Sequence, residues 1–144
     1  MKFEDLEVWK RSARLSAEIY KELVGLKDFG FKDQISRAGL SVPSNIAEGI
    51  ERGSDKEVIR FLTIAKGSCG ELRTQTYIGI EIGYIPKQVG NHWIQETKEI
   101  SAMLMGLIRR RQESGNRVQE DSAIYESAPC SLPPDTSASR ETET

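Results

Sequence analysis

The stretch 41-SVPSNIAEG-49 decides how this chain is read. It holds a proline, two serines and an asparagine, yet helix-compatible residues enter it (Gln34, Ile35, Ala38) and leave it (Ile46, Ala47, Glu48). Two structures fit. Either one helix stops near Leu40 and another begins at Pro43, or a single helix passes through and bends. A proline inside a helix removes one backbone hydrogen bond and presses its ring on the carbonyl four residues earlier, here that of Gly39. Ala38 and Gly39 are small and leave room for a bend, and the hydroxyls of Ser41 and Ser44 can serve freed carbonyls. The bent helix, from near Lys32 to about Glu51, is the favoured reading.

Working outward, a first helix is expected roughly from Asp5 to Lys27. Its apolar stripe is read as Leu6, Trp9, Ala13, Ile19, Tyr20, Leu23 and Val24. Asp28 to Phe31 make a turn that tucks Phe29 and Phe31 under the end of the molecule. After the break at Arg52-Gly53, Ser54 and Glu57 have the spacing of a capping box and start a third helix. Val58, Phe61, Leu62, Ala65, Cys69 and Leu72 give that helix its buried face, and Gly83 is its left-handed terminator. Pro86 suits the first turn of a fourth helix. Trp93, Ile100, Leu104 and Leu107 form its inner face, widened by Ile94 and Ile108, and it is expected to end around Arg111. Gly90 and Gly106 weaken it by up to ~1 kcal/mol each unless a neighbour approaches closely. Trp9 and Trp93 are both expected to be largely buried.

Matched amphipathic helices with short connections predict an all-α fold: an antiparallel up-down four-helix bundle over 1–111, its second helix bent at Pro43. From Gln112 onward the chain is rich in Ser, Glu, Thr and Pro. Residues 112–144 are therefore expected to form an acidic, disordered tail. Seven acidic residues there face only Arg117 and Arg140, a net −5, so 1–111 carries +3 of the total −2.

Composition excludes several classes. With 144 residues, 29% charged and 38% hydrophobic, the chain is sized for one ordinary domain. No run approaches the ~20 apolar residues of a membrane span. The amino end, MKFEDLEVWKR, has acids where a signal peptide needs an apolar run. A cytoplasmic location with no membrane partner is expected. Cys69 and Cys130 have no metal-binding spacing.

No converging set of catalytic groups is visible. His92 is the single histidine, and Cys69 reads as a small buried hydrophobe. Gly67 and Gly70 lie within a helix and lack the strand that a phosphate loop requires. Glu48, Glu71 and Glu81 have no metal-pair spacing. The expectation is a non-enzymatic protein with no catalytic residues, no cofactor and no metal.

Binding features are better marked. Lys10, Arg14 and Lys21, at steps of four and seven, draw a basic stripe along the first helix, interrupted by Glu7, Glu18 and Glu22. Arg109, Arg110 and Arg111 close the fourth helix. These six are the candidate nucleic-acid contacts, since each cation near a phosphate releases counterions. They equally suit a solvated face and a helix carboxyl end. Asn45, Glu48 and Arg52 share one helix face. They are read either as a surface group with a Glu48–Arg52 pair, or as a subunit interface.

Three segments, FEDLEVWKRSARLSAEIY, then FGFKDQISRAGLSVPSNIAEGIERGSDKEVIRFLTIAKGSCGELRTQ, then IGYIPK, carry a family likeness. Over about residues 3 to 110 the chain resembles the bacterial four-helix-bundle family named after a protein encoded in intervening sequences of the large-subunit ribosomal RNA gene. Accessory variability determinant proteins of diversity-generating retroelements are its relatives. The resemblance implies an up-down bundle assembling into a ring-like homopentamer without enzymatic activity. For the retroelement relatives it implies a positively charged surface that binds nucleic acid, RNA or DNA, and a reverse transcriptase. The long acidic tail and the mildly basic body depart from that pattern. The leading functional expectation is a homo-oligomeric binding protein for RNA or a nucleoprotein partner. The alternative is a protein–protein interaction scaffold with no nucleic-acid ligand.

Overall fold

The computed structural model describes residues 1–123. A short 3₁₀ turn, Phe3–Asp5, precedes α1 (Glu7–Glu22), α2 (Phe29–Arg52), α3 (Asp55–Glu81) and α4 (Lys87–Ala123). Among the described residues there is no strand. Short connections return each helix antiparallel to the one before. The α2–α3 and α3–α4 seams are the most extensive, and α1 closes the bundle against α2 and, more lightly, α4. The fold is an all-α four-helix bundle, as expected.

Helix α2 runs through the proline. Pro43 is buried inside one continuous helix, so no second start occurs there. The hydroxyls do not act as expected. Ser41 Oγ lies 2.8 Å from Ser68 Oγ on α3 and accepts from Asn45 Nδ2 at 2.9 Å, while Ser44 is exposed. Ser41 thus ties α2 to α3, because the residue one turn further on supplies its own donor.

The helix ends follow local chemistry. Asp28 caps α2 by accepting from Phe31 N at 3.1 Å, and Ser54 caps α3 by accepting from Glu57 N at 3.2 Å. The Glu57 carboxylate turns to Arg52 and Arg60 rather than back to the cap, so only half of the expected box forms. Gly53 and Gly83 close α2 and α3 at φ 84° and 83°, where a side chain would be strained.

The core is one continuous layer that includes Ile19, Ile35, Ile46, Leu62, Leu72, Trp93, Ile100 and Leu104. Three sequence expectations need correction. In α1 the inward stripe is Val8, Ser12, Leu15, Ser16 and Ile19, continued by Leu23, so Tyr20 and Val24 face solvent. Ser16 fills a core position where α2 comes close: a Cβ on Gly39 would sit 3.8 Å from Ser16 Cα and 3.1 Å from Ile19 Cδ1. Trp93 is buried but Trp9 is only partly so, edge-on to Phe3 at 5.1 Å, because it rides at the rim of that displaced stripe. Of the turn aromatics, Phe31 packs against the core and meets Tyr84, whereas Phe29 is exposed.

Helix α4 continues past Arg111 to Ala123. Gln112 and Glu113, both exposed, are good helix formers and carry the rod past Arg111. The expected tail from 124 onward lies outside the described residues.

Candidate functional site

The cations on α1 differ from one another in role. Lys10, Arg14 and Lys21 are exposed, with no carboxylate within ion-pair distance among the described residues. Arg11, between two of them, points the other way. Its Nε donates to Glu96 Oε2 at 3.0 Å, and its Nη2 donates to Glu96 and Glu99 at 2.5 Å each. The Glu96 bond, then the Glu99 bond, holds its guanidinium well above its usual pKa. The same contact with Arg11, followed by Gln95, holds Glu99 below the usual carboxylate range. Arg11 is a fastener between α1 and α4 and is not available to a ligand.

Lys21 stands in a groove of about 490 Å³ shared with Glu18, Glu22, Gln88 and His92. Glu18 Oε2 lies 3.7 Å from His92 Nε2. Because α1 and α4 are antiparallel, Lys21 stands near Gln88 while Arg109 and Arg110 lie at the far end of the bundle. The span from Gln88 to Arg110 is about 33 Å along α4. Arg109 and Arg110 are exposed. Arg111 is committed elsewhere, donating from Nη1 to Asp55 Oδ1 at 2.9 Å, where it pins the start of α3. The six predicted contacts are strung along the molecule and interleaved with acids.

The predicted interface group is tied up within the chain. Asn45 Nδ2 donates to Ser41 O at 2.8 Å as well as to Ser41 Oγ. Arg52 Nε donates to Glu48 Oε2 at 2.8 Å, the surface pair that the four-residue spacing allows. Arg52 also stacks on Phe61 at 4.9 Å, with Arg60 at 4.8 Å from the same ring. Sequence reading counted Phe61 as core. It is half-buried, with two guanidinium groups within cation–π distance of its ring.

Two features escaped the sequence reading. One is a groove between the end of α1 and the start of α2, of about 520 Å³, lined by Tyr20, Val24, Phe29, Lys32, Asp33 and Ser36. Its signal was present but was assigned to the core stripe: Tyr20 and Val24 are apolar residues one turn apart. The other is an exposed apolar set on α3, namely Ile64, Tyr77, Ile78 and Ile82. As to chemistry, Cys69 is buried and burial pushes its thiol up to about 11, so it is protonated at neutral pH. Among the described residues no three His, Cys, Asp or Glu side chains gather in a metal-holding group. No helix among them is long and apolar enough to cross a membrane.

Comparison with known proteins agrees with this architecture. The family model of the 23S rRNA-intervening sequence protein matches residues 4–106, which takes in α1, α2, α3 and half of α4. A crystal structure of a protein with unknown function, from the S23 ribosomal protein family of Bacteroides thetaiotaomicron, is similar at 28% identity and a TM-score of 0.66. The similarity covers 70% of this chain and 97% of that one. No curated protein matches the chain. With the bundle and the matched span in agreement, the chain belongs to the 23S rRNA-intervening sequence protein family.

Proposed function

We propose that this protein is a non-enzymatic, homo-oligomeric binding protein whose ligand is RNA, alone or within a nucleoprotein that includes a reverse transcriptase. The observation that carries this reading is the division of labour among its cations. Arg11 and Arg111 are locked to carboxylates. Lys10, Arg14, Lys21, Arg109 and Arg110 stand exposed without such partners among the described residues. Exposed ammonium and guanidinium groups spaced along a rod suit the repeating phosphates of a polyanion. One copy presents few of them and mixes them with acids, so a single subunit would bind weakly. Assembly of several copies, five in the ring that the resemblance implies, repeats the row and raises avidity without new contacts.

The test is a salt titration of binding to single-stranded and structured RNA, alongside the native mass. Binding that weakens linearly with the logarithm of salt, and a Lys10→Ala/Arg14→Ala/Lys21→Ala variant with a shallower slope, support the reading. Absence of binding at low salt defeats it. A second reading, a protein-docking scaffold, is favoured by the exposed Ile64, Tyr77, Ile78 and Ile82 on α3. A protein partner that remains bound after nuclease treatment would select it.

A further inference from the structure

We propose that the groove between the end of α1 and the start of α2 binds a small amphipathic carboxylate: an apolar acyl or aryl body carrying one anionic group. This goes beyond the RNA-binding reading and does not depend on it. The first observation is the apolar wall. Val24 is 76% exposed, Phe29 70% and Tyr20 48%, and all three line one concavity of about 520 Å³. That volume falls in the range of small-molecule sites. Large apolar side chains held open to water around a hollow gain by covering each other or by covering a guest, and here they remain exposed.

The polar groups choose the guest's charge. Lys32 Nζ has no carboxylate within ion-pair distance among the described residues. It reaches only the Val24 carbonyl, at 3.5 Å, and the face of Phe29, at 4.9 Å. Two acids are nearby, and both have partners. Asp33 Oδ2 pairs with Arg37 Nε at 2.9 Å, and Asp28 accepts from Phe31 N and from Tyr84. Ser36 lines the same groove, is 4% exposed, and its Oγ has no hydrogen-bond partner. A buried hydroxyl without a partner is costly, and native structures seldom leave one so.

Lys32 and Ser36 are four residues apart on α2 and therefore share one face. Lys32 offers its ammonium to a carboxylate at the groove's surface, and the unpartnered Ser36 hydroxyl, shut off from solvent here, becomes a second donor once the side chains above it shift. The first turn of α2 adds its positive end to the same region. An amine would meet Lys32 with like charge, and a neutral guest would leave that charge unanswered. The chemistry therefore selects an anion with an apolar body.

Octanoate, octanol and octylamine form a matched set of probes for the full-length, ¹⁵N-labelled protein. Octanoate is expected to shift saturably the amides between residues 20 and 36, ahead of octanol, with octylamine weakest. Lys32→Met is expected to weaken octanoate about threefold to fivefold, as for a partly exposed ion pair, and to leave octanol unchanged. Phe29→Ser is expected to weaken both while the thermal midpoint holds, because Phe29 is exposed. Octylamine binding as well as octanoate, shifts confined to other residues, or no saturable response would overturn the proposal. So would ligand-free shifts of these amides on raising protein concentration, since a second copy would then be what covers the groove.

Discussion

Arg11 on α1 and Glu96 on α4 are joined by two parallel N–H···O bonds, one of them Nε to Oε2 at 3.0 Å, across the lightest seam of the bundle. Both side chains are mostly shielded, at 24% and 19% exposure. Coulomb attraction and hydrogen bonding are therefore less screened than in an open surface pair. Arg11→Met is expected to cost about 1–3 kcal/mol, the penalty of a half-buried carboxylate left unpaired. Urea unfolding at constant m-value reads this directly. Adding Glu96→Gln is expected to restore part of the loss, and simple additivity of the two changes would show that the pair is not coupled.

The two tryptophans are expected to differ in cost. Trp93→Ala empties a fully buried site and should lose about 3–5 kcal/mol. Trp9→Ala removes a ring that is partly exposed and rests against Phe3, so the loss should be clearly smaller. Equal losses would mean that Trp9 is covered in the protein's working state.

Glycines at two helical positions should respond with opposite signs. A Cβ on Gly49 would lie 2.9 Å from Phe61 Cβ and 3.5 Å from the Val58 backbone, where neither atom can swing aside. Gly49→Ala is expected to destabilise by about 1–3 kcal/mol through overpacking. A Cβ on Gly67 meets nothing within 4 Å. Gly67→Ala is expected to stabilise the isolated subunit by up to ~1 kcal/mol, since a helical glycine lacks alanine's propensity. Thermal midpoints of the two variants check both signs.

Stability should fall in acid through Asp28. Its backbone bond from Phe31, then the bond from Tyr84 at 2.8 Å, holds its carboxyl below the usual range in the folded state. A lowered folded-state value means that the ionised form stabilises the fold. The contribution is complete above the unfolded carboxylate range and is lost as pH falls through the folded value. Glu99 adds in the same direction. Thermal midpoints between about pH 5 and about pH 3 should drop more steeply for the natural protein than for Asp28→Asn, which keeps an acceptor but cannot titrate.

Much of the bundle was legible because helix signals are local. Ser54 before α3 and Gly83 after it stand where the sequence placed them, and Pro86, expected in the first turn of α4, immediately precedes it; all three act within a few residues of themselves. The inward faces of α3 and α4 were legible as well, since Leu62, Cys69, Leu72, Trp93 and Ile100 are core in fact. The α1 stripe was misread. Ser12 and Ser16 look polar in a sequence but both are buried, and at Ser16, where Gly39 of α2 comes close, a small side chain fits the seam better than a large one. With Leu15, Ser16 and Ile19 turned inward, Tyr20 and Val24 lie outward and line a groove.

The basic candidates show the same limit. Four-residue spacing located Lys10 and Arg14 on one face, but nothing in the sequence showed that Arg11 would be fastened to Glu96, or Arg111 to Asp55, residues 85 and 56 positions away. The amino-acid order alone determined that four helices form and where most of them start and stop, and it favoured the continuous helix through Pro43 that the structure has. These outcomes depend on groups within a turn or two along the chain. Only the assembled bundle decided which cations stay exposed, which serines are core and where apolar side chains frame a hollow. Those outcomes are set by side chains that meet across seams between helices, and the rotation of α1 about its axis is fixed by packing against its neighbours, which its own apolar spacing did not give.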